Sequence, residues 1–193
     1  MKKTSVVFVP GLRDHVADHW QTLLQARLPG SMCVPRLGKD NLSRLSWVEA
    51  LDATVDAAGG PVVLVAHSAG VMMVAHWAHM HRGRVAGALL AAPPDFEAGL
   101  PAGYPSREAL LRNGWLPTPR KRLAFPSIVA ASDNDPLASA ACVAGFARDW
   151  GSELVNAGAV GHLNPAAGFG DWPQAIDLLA RLGVGLTRAQ ATA

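Results

Sequence analysis

Short runs of apolar, often β-branched residues alternate along this chain with longer stretches of mixed apolar and polar character. The short runs, at 5–9, 32–35, 62–66, 85–91, 127–131 and 153–155, predict strands. The longer ones, at 17–28, 47–57, 69–81, 138–150 and 173–182, predict amphipathic helices. Two helices carry punctuation: Pro29-Gly30 stops the first, and Pro173 opens the last where a missing N–H costs nothing. Such alternation predicts an α/β fold, about six parallel strands with helices on both faces. No period of self-similarity runs through the chain, which argues against a repeat architecture.

One segment breaks the alternation. Residues 93–122 are rich in Pro and Gly and hold a single short helical stretch at 106–112. A connection that long within a compact domain predicts a lid or a pocket wall. The last residues, 183–193, carry little pattern and are expected to fray. The whole chain, 1–193, fits one domain able to bury roughly 70% of its unfolded surface without disulfides or metals.

Composition acts mainly by exclusion. The formal net charge is +2, and the one dense basic run, Arg120-Lys121-Arg122, reads as a solvated face, so neither nucleic acid nor membrane is expected as a partner. Met1-Lys2-Lys3 imitates the start of a signal peptide, but the apolar stretch after it ends at Pro10-Gly11 with no cleavage site before it. No other apolar run is long enough to cross a bilayer; the one at 85–92 stops at Pro93-Pro94. A soluble, cytoplasmic protein is expected. Cys33 and Cys142 lie in apolar surroundings and predict buried free thiols, too few for a disulfide framework or a zinc site.

The candidate chemistry begins where the strand at 62–66 runs through His67 and Ser68 straight into a helix. So abrupt a turn forces a strained backbone on the turning residue, and only neighbours with little side chain leave room for it; Ala66, Ala69 and Gly70 meet that demand. Ser68 would project its hydroxyl from the carboxyl edge of the sheet, over the free N–H groups of the new helix. A serine hydroxyl is a weak nucleophile and needs a histidine base oriented by an acid. In this arrangement the chain order is serine, acid, histidine.

The acid is expected in the turn Ser132-Asp133-Asn134-Asp135-Pro136, just after the strand at 127–131. Asp135 is favoured because Pro136 stiffens the backbone behind it, leaving Asp133 as the alternative and otherwise a turn-forming residue. Of seven histidines, His76, His79 and His81 ride the helix after the serine, and His67 sits in the turn itself, where packing is expected. Only His162, in Gly161-His162-Leu163-Asn164, follows the last strand and completes the order.

His15 and His19 have the spacing of one helical face, but no third ligand is evident and no metal is expected. With Trp20 and His67 they are candidates for lining the pocket. The first strand delivers Pro10-Gly11-Leu12 beside the nucleophile, so the oxyanion donors are assigned to the backbone N–H groups of Leu12 and Ala69. Neither a Gly-x-Gly-x-x-Gly turn nor a Gly-x-x-x-x-Gly-Lys loop occurs, and no cofactor is expected. Trp47, Trp77 and Trp150 read as core, and packing is the first expectation for Trp20, Trp115 and Trp172 near the active edge, with substrate contact as the alternative.

Taken together, Phe8-Val9-Pro10-Gly11-Leu12, Asp18-His19-Trp20, Ala66-His67-Ser68-Ala69-Gly70, Ala131-Ser132-Asp133-Asn134-Asp135-Pro136, Gly161-His162-Leu163-Asn164 and Gly170-Asp171-Trp172-Pro173 span nearly the whole chain. In these pieces it resembles the YdeN-like family of small serine hydrolases, which includes retinoblastoma-binding protein nine. The resemblance implies a minimal α/β-hydrolase fold, with Ser68, Asp135 and His162 matching the family's triad. One departure from the wider hydrolase pattern Gly-x-Ser-x-Gly is Ala66 in place of its first glycine, a change of one methyl group.

The expected activity is hydrolysis of a small ester through an acyl-enzyme on Ser68. Esters are favoured over amides because an alkoxide leaves more readily than an amine, which must be protonated as it departs. The alternatives are an aminopeptidase or amidase, and a binding module with an idle triad whose 93–122 segment contacts a ligand or protein partner.

Overall fold

A computed structural model of the protein describes residues 4–12, 16–35, 37–38, 41–80 and 84–185. Six strands, β1 (Ser5–Val9), β2 (Met32–Cys33), β3 (Val62–His67), β4 (Val85–Ala91), β5 (Ser127–Ala131) and β6 (Glu153–Asn156), form one sheet in the order β2-β1-β3-β4-β5-β6. Every pairing is parallel. The helices are α1 (Trp20–Arg27), α2 (Arg44–Ala57), α3 (Ala69–Met80), α4 (Arg107–Arg112), α5 (Ala140–Trp150) and α6 (Gln174–Arg181).

The two-residue period of a strand divides the central strands between two cores. Val7, Val9, Leu64, Ala66, Leu90 and Val129 face the layer of α2, α3 and α5. Val6, Phe8, Val63, Val65, Leu89 and Ile128 face the layer of α1 and α6. Strands buried on both faces are nearly continuous apolar runs, which is why β1, β3, β4 and β5 stand out in the sequence.

Local chemistry sets most element ends. The first helix begins at Trp20 rather than 17 because His19 is its N-cap, its Nδ1 accepting the Gln21 N–H at 3.1 Å. Ser43 caps α2, which therefore starts at Arg44, earlier than expected, and Ser139 caps α5 through the Cys142 N–H. The second strand is cut to two residues: the Val34 N–H still donates to the Phe8 carbonyl at 2.9 Å, but the next donor in the parallel ladder would be Pro10, which has no N–H. A 3-10 turn at Pro165–Ala167 was not anticipated. His81 lies outside the described residues, as do 186–193. Residues 183–185 are described as ordered chain, against the expected fraying: the Val184 N–H donates to the Leu179 carbonyl at 3.0 Å and its side chain is buried.

The 93–122 segment is pinned into the first core. Phe96, Leu110 and Trp115 are buried, Trp115 Nε1–H donates to the Leu42 carbonyl at 2.7 Å, and the Trp115 carbonyl bonds His76 Nε2 at 3.0 Å. Arg120, Lys121 and Arg122 are exposed, with Arg120 paired to Asp149 at 3.1 Å and lying 4.0 Å over the Phe146 ring. Cys33 and Cys142 form no disulfide and are half-buried rather than buried. Burial, then the neighbouring Asp95 carboxylate that accepts its S–H, pushes the Cys142 thiol up to about 11, so it stays protonated. Among the described residues no helix is long and apolar enough to cross a membrane.

Candidate active site

Strand order reverses between β1 and β3, because the chain leaves β1 toward β2 on one side and β3 toward β4 on the other. A crevice opens beyond the carboxyl ends of strands at such a point. Buried Gln21 braces it: its amide donates to the Val65 carbonyl at 2.9 Å and the Val9 carbonyl at 3.3 Å, joining the ends of β1 and β3. The α1 sequence carries two glutamines, Gln21 and Gln25, and nothing local marks the buried one.

Ser68 stands in that crevice with φ 56, a left-handed conformation rare for a residue with a side chain. It is held there by its N–H bond to the Ala91 carbonyl at 3.0 Å and by close packing. A Cβ on Gly70 would lie 2.2 Å from the Val9 carbonyl oxygen, so only glycine fits. One on Gly11 would lie 3.0 Å from Ser68 Cβ, which shows how tightly the loop after β1 passes the serine. Ala66, where the wider pattern has glycine, is fully buried and accommodated.

Three side chains meet in the crevice in a hydrogen-bonded row. Ser68 Oγ lies 2.8 Å from His162 Nε2, and His162 Nδ1 lies 2.8 Å and 3.0 Å from the two Asp135 oxygens. The His162 and Asp135 side chains are only 5% and 1% exposed, so water does not compete for the pair. Asp135 also accepts the Leu137 N–H at 2.8 Å, which fixes its rotamer. Asp133 is exposed and accepts instead from the Asn156 amide at 2.8 Å, out of reach of the histidine row.

His162 rides a contorted loop. Gly161 and Leu163, on either side, have φ 60 and 47. Leu163 is wholly buried in the second core, the Gly161 N–H donates to Asn134 Oδ1 at 2.7 Å, and the Val160 N–H donates to Ser132 Oγ at 3.2 Å. His67 supplies a further clamp: its Nε2 bonds the His162 backbone carbonyl at 2.8 Å. Asn134, Ser132 and His67 thus hold the loop from two sides, and the first two were not singled out from the sequence.

A cavity of about 300 Å3 opens over Ser68. Leu12, Ala69, His19 and His67 are among its lining residues, and Ala69 begins α3, where backbone N–H groups have no partner within the helix. His15 falls outside the described residues. Trp20, expected as a lining candidate, is corrected: it is fully buried in the second core, edge-on to Trp172 at 5.0 Å. One residue of helical rotation from His19 turns its indole away from the cavity and into the second core. Among the described residues no group of three His, Cys, Asp or Glu side chains is placed to hold a metal ion.

The serine hydrolase family profile matches residues 6–181. A YdeN-like hydrolase from Pectobacterium atrosepticum is 30% identical, with 93% of this chain and 90% of that one covered and a TM-score of 0.80. The ydeN gene product from B. subtilis superposes with a TM-score of 0.73 at 17% identity, covering 95% and 100% of the two chains. Est1E from Butyrivibrio proteoclasticus, solved with ferulic acid bound, has a TM-score of 0.67 at 15% identity over 84% and 82%, a likeness of fold. No curated protein sequence matches the chain.

Proposed function

The chain belongs to the YdeN-like family of small serine hydrolases, and from that membership we propose that it cleaves small carboxylic esters through an acyl-enzyme on Ser68. The observation that carries this reading is the row Asp135–His162–Ser68, with contacts of 2.8 Å at both ends of the imidazole. Ser68 Oγ attacks the ester carbonyl carbon while its proton passes to His162 Nε2. The tetrahedral intermediate collapses, its bond to the alcohol oxygen breaks, and His162 returns the proton to that leaving oxygen. Water then attacks the acyl-enzyme by the same route, regenerating Ser68 and releasing the acid.

Asp135 accepts the Nδ1–H of His162, which leaves Nε2 bare toward the serine and stabilises the imidazolium that forms in each half-reaction. The backbone N–H groups of Leu12 and Ala69 hold the negative oxygen; losing one such donor typically costs on the order of 100-fold or more in rate. His67 acts through His162, fixing the carbonyl of the base and with it the reach of the ring toward Ser68.

Hydrolysis of p-nitrophenyl butyrate by the wild type, lost in Ser68→Ala with an unchanged circular dichroism spectrum, is the expected result. Equal turnover by folded Ser68→Ala would refute the assignment.

A further inference from the structure

Resting on that nucleophile, we propose that the acyl group the protein takes is neutral and apolar, of about eight carbons, and that it lies against the wall formed by Phe96, Leu100, Tyr104 and Leu137. These four residues and Pro94 line one side of the cavity over Ser68, and none carries a charge. The wall is a built surface: Phe96 is 1% exposed and edge-on to Trp115 at 5.8 Å, and the Asp95 N–H donates to the Leu137 carbonyl at 2.8 Å, tying the segment after β4 to the turn after β5.

The two carboxylates next to this wall, Asp95 and Glu97, are committed elsewhere. Asp95 accepts from the Glu97 and Ala98 N–H groups and from the Cys142 thiol, and Glu97 accepts from the Thr118 N–H and pairs with Arg107. Across the cavity, Asn164 Oδ1 accepts the Ala167 N–H and His19 Nδ1 accepts the Gln21 N–H. Among the described lining residues there is no Asp, Glu, Lys or Arg. Among the described lining residues a charged acyl group would therefore shed water without gaining a side chain of opposite formal charge, and the ammonium of an aminoacyl group would find no carboxylate.

Size follows from volume. With about 300 Å3 available and on the order of 30 Å3 per non-hydrogen atom, as for liquid water, about ten such atoms fit. That suits an eight-carbon acyl group with its carbonyl at Ser68. Each methylene laid against such a wall should raise kcat/KM about fourfold until the cavity is full.

The test is a series of p-nitrophenyl esters with acyl chains of two to sixteen carbons, with the succinate monoester and leucine p-nitroanilide, alongside labelling of Ser68 by a small fluorophosphonate. The proposal predicts a rise of about fourfold per methylene to a maximum near eight carbons, a fall beyond it, and the succinate ester at least tenfold below the butyrate. Leu100→Trp, at a half-buried position at the edge of the first core, with its fold checked by circular dichroism, should shorten the best chain by two or more carbons. Labelled Ser68 with a maximum at acetate, equal use of the succinate ester, preference for leucine p-nitroanilide, or an unchanged chain profile in Leu100→Trp would overturn the proposal and leave the nucleophile standing. Absence of labelling would overturn both.

Discussion

His67 Nε2 lies 2.8 Å from the backbone carbonyl of His162, so the residue before Ser68 holds the residue proposed to activate it. Both are buried, and their rings stand 5.0 Å apart. Because the loop has left-handed residues on both sides of His162, it keeps its shape only while such clamps persist.

His67→Phe should lower kcat by roughly 10- to 100-fold with little change in KM, since the base shifts while the cavity remains. His67→Gln, which restores an N–H near the carbonyl, should recover part of the loss. Steady-state kinetics of both variants check this; a change confined to KM would mean that His67 only lines the pocket.

The two aspartates of one turn should separate cleanly. Asp135→Asn should cost on the order of 10⁴-fold in kcat, because an amide cannot favour the tautomer that leaves Nε2 bare. Asp133→Asn removes only the charge of an exposed acceptor for Asn156 and should stay within a few-fold of wild type. Ester turnover by the purified variants decides between them.

Gly11→Ala should hurt activity more than stability. Its Cβ would meet Ser68 Cβ at 3.0 Å, so the serine must yield by a few tenths of an ångström. A drop in kcat of about tenfold, with a urea midpoint close to wild type, is expected. Gly70→Ala, whose Cβ would lie 2.2 Å from backbone oxygen, should instead fail to fold stably.

Acid sensitivity should trace in part to His76. Burial, outweighing its bond to the Trp115 carbonyl and aided by nearby Arg44 and His79, brings it from 6.5 down to about 4. Between those values the unfolded chain binds a proton that the folded one refuses, so stability falls as pH drops from about 6.5 to about 4 and no further below. The loss from this group is at most about 3 kcal/mol. Urea midpoints at pH 4.5 and 7.5 should differ less in His76→Gln than in wild type.

Where one physical demand dominated, the sequence was readable. The doubly buried strands β1, β4 and β5 end where their apolar runs end, and a serine between small residues at the end of a fourth run marks its own turn. That Ser68, Asp135 and His162 meet at one sheet edge was legible because strand ends, chain order and a proline narrow the choice. Trp20 takes its packing role and not the pocket-lining one also allowed for it: its neighbour His19 lines the cavity, while one residue of helical rotation sends the indole into the second core. The clamps by Gln21, Asn134 and His67 depend on contacts across 44, 27 and 95 residues, which no local pattern reports.

The most direct test of the central claim is fluorophosphonate labelling with peptide mass spectrometry on wild type, Ser68→Ala and His162→Ala. The account predicts modification of wild type confined to Ser68 and lost in both variants. Folded wild type that takes up no label, or label that persists in Ser68→Ala, would contradict it.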